Sequence, residues 1–361
     1  MTRSIVLFVA AIVLFACGGS EEGEASTTTT EQPMATSGST SVSGPTQAQN
    51  AGAPAEPLNP EALAARFLAC TDFSVLPSCL TAETRDTGMV DTNAPPMVGT
   101  EAIMGFYGMW RAGFPDLSIT GQLLLLNGHH VVGIGLVRGT HTGTLVTPMG
   151  EVAATNRPIS FFGSRVAELD AAGHIINDSH YGDLATLFGQ IGQYEGPHRG
   201  QQQAFTEQPI VVIAANSETE TANLNIVRGS YETFSAHNVN ALVGLMTEDA
   251  VLHDLTQAED VRGRSALRAY FRALFTGFPD VRATPQTSWA AGDYVIVTAE
   301  NTGTNRGRFM GQRPTNRSIT FHSLDIYRMV NGKAQEAWFF ANGMAIGMQL
   351  NPPQQASAAA H

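Results

Sequence analysis

From about residue 59 onward the chain passes through two hydrophobic periodicities, and it does so twice in the same order. Apolar positions first recur at helical spacing, which predicts helices over Glu61–Cys70 and Phe73–Leu80, and again over Thr221–Ala236 and Val239–Met246. In each half a third helix follows Gly99 or Gly263 and ends at a Gly-Phe-Pro-Asp turn, where proline stops it. In the later copy Leu267, Tyr270, Phe271 and Leu274 fall at i, i+3, i+4 and i+7, a single apolar stripe. After the turn the period becomes two. Tyr294–Glu300, Ser318–Met329 and Ala334–Ala341 alternate as strands, and Asn331-Gly332 supplies a hairpin turn. Helices first and strands after predict an α+β class. A curved antiparallel sheet wrapping the helices would leave a pocket on its concave face.

The second pass is a true repeat. Gly113-Phe114-Pro115-Asp116-Leu117 returns as Gly277-Phe278-Pro279-Asp280-Val281. Gly139-Thr140-His141-Thr142-Gly143 returns as Gly303-Thr304-Asn305-Arg306-Gly307, and Asn156-Arg157-Pro158-Ile159-Ser160-Phe161 as Asn316-Arg317-Ser318-Ile319-Thr320-Phe321. Gly173 matches Gly332 and Gln190 matches Gln349. So long a period means two copies of a whole domain rather than a solenoid. The expected boundaries are 59–195 and 217–352, with a linker at 196–216 and a tail at 353–361.

Ahead of the repeats, Arg3 precedes an apolar run from Ile5 to Ala16, shorter than the ~20 residues of a membrane-spanning helix. It reads as a secretory signal over residues 1–16. Leu14-Phe15-Ala16-Cys17-Gly18 resembles the bacterial lipobox, which implies cleavage before Cys17 and its lipidation, hence a lipid anchor to the membrane. An ordinary signal peptide with a chance Cys is the alternative. Residues 17–58 are rich in Ser, Thr, Gly, Ala, Pro and Glu and read as a disordered tether. The expected location is the cell envelope, at the outer membrane if Gly18 is read by the proteobacterial rule.

Composition narrows the function. Charged residues make up only 14% of the 361, against ~25% in an average soluble chain. With a net charge of -12 and no clustered basic face, nucleic acid is excluded as a partner. Three cysteines exclude a disulfide scaffold or zinc finger. Cys70 and Cys79 flank the turn between the first two helices and are disulfide candidates in an exported protein. No His/Cys/Asp spacing suggests a metal, and no glycine-rich phosphate loop suggests a nucleotide, so no cofactor is expected.

The shared motifs reach a family. Gly-Phe-Pro-Asp, Gly-x-His-x-Gly, Pro314-Thr315, Ile326-Tyr327-Arg328, Asn331-Gly332-Lys333, Glu336-x-Trp338 and a terminal Asp or Asn ahead of the closing helix resemble the SnoaL-like polyketide (ester) cyclases. Their cone fold is that of nuclear transport factor 2-like proteins, ketosteroid isomerase and scytalone dehydratase. The resemblance covers both repeats and implies two tandem cone-shaped α+β barrel domains, each a curved antiparallel sheet wrapped around helices. It implies a pocket His and a pocket Asp that assist proton abstraction α to a carbonyl. On that match His141 and Asp183 are the catalytic candidates, while the second repeat holds Asn305 and Asn342 in their places, so chemistry is expected in the first repeat only.

Strand parity adds to that expectation. Val137, Gly135 and Gly133 share a face with His141, and the glycines leave space beside the imidazole. Counting back from Asp183 by twos gives Tyr181, Ser179, Asn177 and Ile175; from Asn342 it gives Phe340, Trp338 and Glu336. Tyr181, Ser179, Asn305, His322, Glu336, Trp338, Phe340 and Asn342 are therefore the ligand-binding candidates for a small apolar or carbonyl-bearing molecule. A surface-turn role for His141 and a helix-cap role for Asp183 are the alternatives. At the level of the chain the alternative is a non-catalytic ligand-binding or interaction lipoprotein, with the two domains paired intramolecularly.

Overall fold

The computed structural model describes residues 57–352 except 93, 148, 149, 310 and 312. The signal sequence, Cys17, the tether up to residue 56 and the tail 353–361 lie outside the described residues.

The first repeat opens with α1 (Pro60–Ala69). Asn59 caps it by accepting the Ala62 N–H at 2.8 Å, and Pro60 occupies the first turn, where its missing N–H costs nothing. Where a second helix is expected there is only a 3₁₀ turn, Leu76–Cys79. Pro77 cannot donate to a helical ladder, and Asp72 takes the Ser74 N–H and hydroxyl into a local turn instead. A Cys70–Cys79 disulfide spans this turn. There follow β1 (Arg85–Met89), β2 (Met97–Val98), α2 (Gly99–Gly113), β3 (Ser118–Asn127), β4 (His130–Thr140), the small hairpin β5 (Leu145–Thr147) and β6 (Gly150–Val152), β7 (Pro158–Leu169), β8 (Ile175–Tyr181) and α3 (Leu184–Gln190).

The segment expected as a linker contributes β9 (Ile210–Ile213), which adds to the edge of the first sheet beside β3. The second repeat then runs α4 (Glu218–Ser235), α5 (Val239–Gly244), β10 (Met246–Asp254), β11 (Val261–Arg262), α6 (Arg264–Gly277), β12 (Arg282–Ala291), β13 (Tyr294–Thr304), β14 (Ser318–Val330), β15 (Lys333–Phe340) and α7 (Gly343–Leu350). Ser217 and Glu220 form a reciprocal capping box at the start of α4. Gly99 and Gly263, at φ 83° and 80°, make the same sharp passage from a short strand into α2 and α6.

The two sheets have one topology, β2-β1-β8-β7-β4-β3-β9 and β11-β10-β15-β14-β13-β12. They are not wholly antiparallel: β1 with β8 and β10 with β15 are parallel pairs. Both sheets are curved and open, since their outer strands do not meet. Each concave face packs on its own helices, Leu63, Phe67, Ile103 and Tyr107 in the first repeat and Val227, Tyr231, Leu267 and Phe271 in the second. On the opposite face, Leu123, Leu125, Ile134 and Tyr181 join Ile296, Leu324, Ile326 and Phe340 in a single buried cluster.

Candidate active site

The signature motifs turn out to hold the strand ends in both repeats. Asp116 Oδ1 accepts the Thr140 N–H, and Asp280 Oδ1 the Thr304 N–H, each at 2.6 Å. A Cβ at Gly143 or Gly307 would land on the carbonyl of Ala112 or Thr276, so the backbone passes there only as glycine. Gln190 and Gln349 each clip β7 or β14 by accepting one backbone N–H at 2.8 Å, from Ser160 or Thr320, and donating back to the same residue's carbonyl.

His141 and Asn305 are equivalent loop pins. The main chain of each bonds in the same two places, to Arg157 and Asn156 or to Arg317 and Asn316. His141 Nδ1 meets Thr155, at 3.0 Å from its hydroxyl, and Asn305 Oδ1 accepts the Thr315 N–H at 2.8 Å. The imidazole is buried against Phe114, and burial lowers its pKa. Asp183 and Asn342 are likewise equivalent N-caps, of α3 and α7. Both Asp183 oxygens are engaged, by the Ala185 and Thr186 N–H groups, the Thr186 hydroxyl, and the Gly343 N–H of the second repeat at 3.0 Å. Burial pushes its carboxyl up to about 6 against these donors. His141 and Asp183 share no hydrogen-bond partner. The glycines do not leave a pocket either: a Cβ at Gly133 would meet the Phe67 ring at 3.1 Å, and one at Gly135 would meet Ile119 at 2.7 Å. Both positions of the expected acid–base pair thus hold structure in place, and His141 Nε2 is buried with no hydrogen-bond partner.

The ligand-binding candidates separate in the same way. A bulge between β7 and β8 shifts the register between Glu168 and Leu169, so counting by twos from Asp183 to Ile175 crosses faces. Tyr181 lies in the cluster between the sheets, and Ser179 accepts from Thr87 at 2.8 Å. Phe340 is in that same cluster. Trp338 stacks on His253, and Glu336 pairs with Arg328 at 3.0 Å. His322 reaches Asp91 of the first repeat at 2.8 Å. Of the eight candidates, Asn305 and Trp338 line a cavity of small-molecule size.

That cavity, about 480 Å³, is inside the cone of the second repeat, within the size range of small-molecule sites. Its walls are largely apolar, with Phe234, Leu242, Phe271, Ile319 and Phe321 among them, and α7 closes one side through Met344 and Ile346. Two buried carboxylates line it from β10 and β14, the strands on either side of β15. Asp254, the last residue of β10, accepts the Tyr270 hydroxyl at 2.7 Å and the Thr256 hydroxyl at 2.7 Å. Asp325, on β14, accepts the Tyr231 hydroxyl, which in turn lies 3.5 Å from the Tyr327 hydroxyl. The second oxygen of Asp325, Oδ1, is buried with no hydrogen-bond partner. Burial raises both carboxyls, Asp325 up to about 6, with the nearby Asp254 charge adding to the rise and the hydroxyls of Tyr231 and of the neighbouring Ser323 opposing it. Burial also raises Tyr231 and Tyr270 well above their ordinary range.

Sequence reasoning missed these residues, although a signal existed. Asp325 is the one acid inside the run Leu324-Asp325-Ile326-Tyr327, and such a residue in a buried strand needs a reason. The equivalent interior of the first repeat holds a different polar set. Arg165 pairs with Asp178, His180 Nε2 lies 3.2 Å from Asp86, and the Tyr107 hydroxyl meets His180 at 3.2 Å. Ligand atoms of Asp86, Asp178 and His180 come within 4.8 Å of one another, close enough to hold a cation, but the Arg165 guanidinium already supplies positive charge to that cluster.

Comparison with known proteins agrees with the repeat structure. A search of curated proteins finds no match. Among solved structures, a protein of Jannaschia sp. CCS1 named for the SnoaL-like polyketide cyclases is 22% identical, covering 38% of this chain and 96% of its own, with a TM-score of 0.36. IdmH of Streptomyces antibioticus, named for the polyketide cyclases, is 26% identical over 36% of this chain and 97% of its own, with a TM-score of 0.32. An NTF2-like protein of Burkholderia pseudomallei K96243 is 18% identical over 36% and 98%, with a TM-score of 0.32. The family profile described as SnoaL-like polyketide cyclase matches twice, over residues 63–191 and 225–350, which is most of the chain, and the chain belongs to that family.

Proposed function

We propose that the second repeat binds a small apolar, carbonyl-bearing molecule and abstracts a proton α to the carbonyl. The observation that carries this reading is the unpartnered Oδ1 of Asp325, buried in an apolar cavity of about 480 Å³ with its pKa near 6. A base tuned toward neutral pH by burial is what such chemistry needs. In this scheme Asp325 Oδ1 takes the α-proton, and the C–H electron pair passes into the enolate. Asp254, which burial pushes toward the protonated form, donates to the enolate oxygen when it carries the proton. Return of the proton gives isomerisation, and attack of the enolate carbon on a second carbonyl of the same molecule gives ring closure.

2-Tetralone in D₂O tests this. Catalysed deuterium exchange at its α-carbon is the expected result, with a loss of roughly 10²–10⁴-fold in Asp325→Asn, the usual range for a removed general base. Binding without exchange by the wild type would instead support a pure binding role.

The N-terminal signal supports export and anchoring through Cys17, with the repeats held off the membrane by the tether. Cys17→Ser should move the protein to the soluble fraction or block its maturation; unchanged membrane fractionation would refute the anchor.

A further inference from the structure

The segment that leaves the first repeat makes a buried contact with the strand carrying Asp254. Arg199 is only 7% exposed, although it belongs to a connector. Its backbone is fixed in the first repeat: its N–H donates to the Thr186 hydroxyl at 3.1 Å, and its carbonyl accepts from Gln190 at 3.3 Å. Its guanidinium is fixed in the second repeat, with one nitrogen on Asp260 Oδ1 and another on the Asp254 carbonyl, both at 2.8 Å. Asp260 also meets His253 Nδ1 at 3.1 Å. Burial works to raise the Asp260 carboxyl, yet His253 and Arg199 hold it well below the ordinary range.

We propose that Arg199 is a positioning residue for the second repeat's site, clamping the end of β10 from which Asp254 enters the cavity. The clamp rests on the acid–base reading of that cavity. The argument is geometric. Asp254 is where β10 ends and the chain turns, and its carbonyl accepts the Gln257 N–H at 3.0 Å as well as the guanidinium. A rigid two-nitrogen fork spanning that carbonyl and the Asp260 carboxylate ties both ends of the turn to a single point. A lysine could supply the charge there without holding both partners. The first repeat, with its own cone closed by ion pairs, then serves as the fixed support for the acid in the second.

The clamp has an electrostatic consequence. Asp254 is faced by Tyr270 from α6, by Asp325 from β14 with Tyr231 of α4 behind it, and by Arg199 from the connector, with Asp260 and His253 beyond. Arg199 is the cation among them that opposes the rise of the Asp254 pKa.

The test uses the whole chain with ¹³C-carboxyl-labelled aspartate, the Asp254 signal being assigned by its loss in Asp254→Asn. Arg199→Met should raise the Asp254 titration midpoint by about half a pH unit or more, as expected when a neighbouring cation is removed. It should also speed amide exchange over residues 254–262 by ~10-fold, the mark of a locally released segment. Arg199→Lys should keep the midpoint near that of the wild type while still losing the exchange protection. If Arg199→Met does not fold, Arg199→Lys and Asp260→Asn carry the same exchange comparison. A wild-type midpoint together with wild-type exchange in the variants overturns the clamp. Binding of 2-naphthol, followed by its fluorescence, separates the two readings. A wild type that fails to bind it overturns the acid–base reading. Normal 2-naphthol binding, with wild-type exchange in the variants and an unmoved Asp254 midpoint in Arg199→Met, overturns the clamp alone.

Discussion

At the scale of single residues, the molecule shows how one position can keep its role while its chemistry changes. Asp183 and Asn342 both cap a closing helix, and His141 and Asn305 both pin a loop, so the Asp/Asn and His/Asn differences do not separate an active copy from an inactive one. An N-cap needs a side-chain oxygen, which Asp and Asn both offer. Asp325 is different, because a buried carboxylate with a free oxygen has a cost that depends on pH. Its carboxyl titrates near 3.8 when unfolded and at about 6 in the fold. Between those values the native state binds more protons, so stability falls as pH rises from about 4 to about 6 and then levels off. A shift of ~2 units is worth about 3 kcal/mol. Asp183 and Asp254 titrate in the same direction and add to the slope. Asp325→Asn should therefore lessen the stability loss between pH 4 and pH 6.5 while abolishing exchange of 2-tetralone, as read by urea denaturation at several pH values. An unchanged slope would mean that Asp325 is not held protonated by its surroundings.

At the scale of elements, what was legible in the sequence is what depends on local pattern. The apolar stripe of α6 buries Leu267 and Phe271, the Asn331-Gly332 turn joins β14 to β15 with positive φ at both residues, and the Gly-Phe-Pro-Asp turns end α2 and α6. A sequence shows the alternation along a strand but not which face meets a cavity, and that is where the reading failed. On β8, Asp178 and His180 face the first cone and Tyr181 the other sheet, as alternation predicts, while the bulge lies beyond them at the Ile175 end. The glycines were misread for a related reason. A missing side chain on a strand leaves room, and the sequence does not say whether Phe67 or a ligand fills it. The glycine of the Gly-x-His-x-Gly motif has a backbone reason, which separates it from helical glycines. Gly143→Ala should lower stability by about 1–3 kcal/mol or more, because its Cβ would strike a main-chain carbonyl that cannot swing away. Gly105→Ala, in open space within α2, should raise it by about 0.5–1 kcal/mol. Thermal melting of the two variants checks both signs, and equal effects would remove the distinction.

At the scale of the whole molecule, duplication has produced two cones that solve the problem of a polar interior in opposite ways. In the first, Arg165, Asp178, Asp86, His180 and Tyr107 pair with one another around the Phe67 ring, over which the guanidinium sits, leaving Asp178 Oδ1 without a hydrogen-bond partner. Burial lowers the His180 pKa, but Asp178 and Asp86 more than offset it, so the imidazole favours its charged form and two carboxylates face two cations. In the second, the position of Arg165 is taken by Asp325, and among the described residues no Lys, Arg or His lines the cavity to pair with it. The carboxylates there turn to tyrosines, and space remains. Net charge over the chain does not reveal this difference, since it depends on which side chains share an interior. The consequence is a stoichiometry. An apolar aromatic probe such as 2-naphthol should bind one equivalent per chain, in the second cone. Ala337→Trp, which places an indole against the cavity wall, should abolish that binding while the chain still folds, as checked by circular dichroism. Arg165→Met should not create a second site, because removing the cation strands Asp178 and Asp86 and should cost about 3–5 kcal/mol of stability instead. Calorimetric titration of the wild type giving two equivalents, or giving one that survives Ala337→Trp, would place the binding site elsewhere in the molecule.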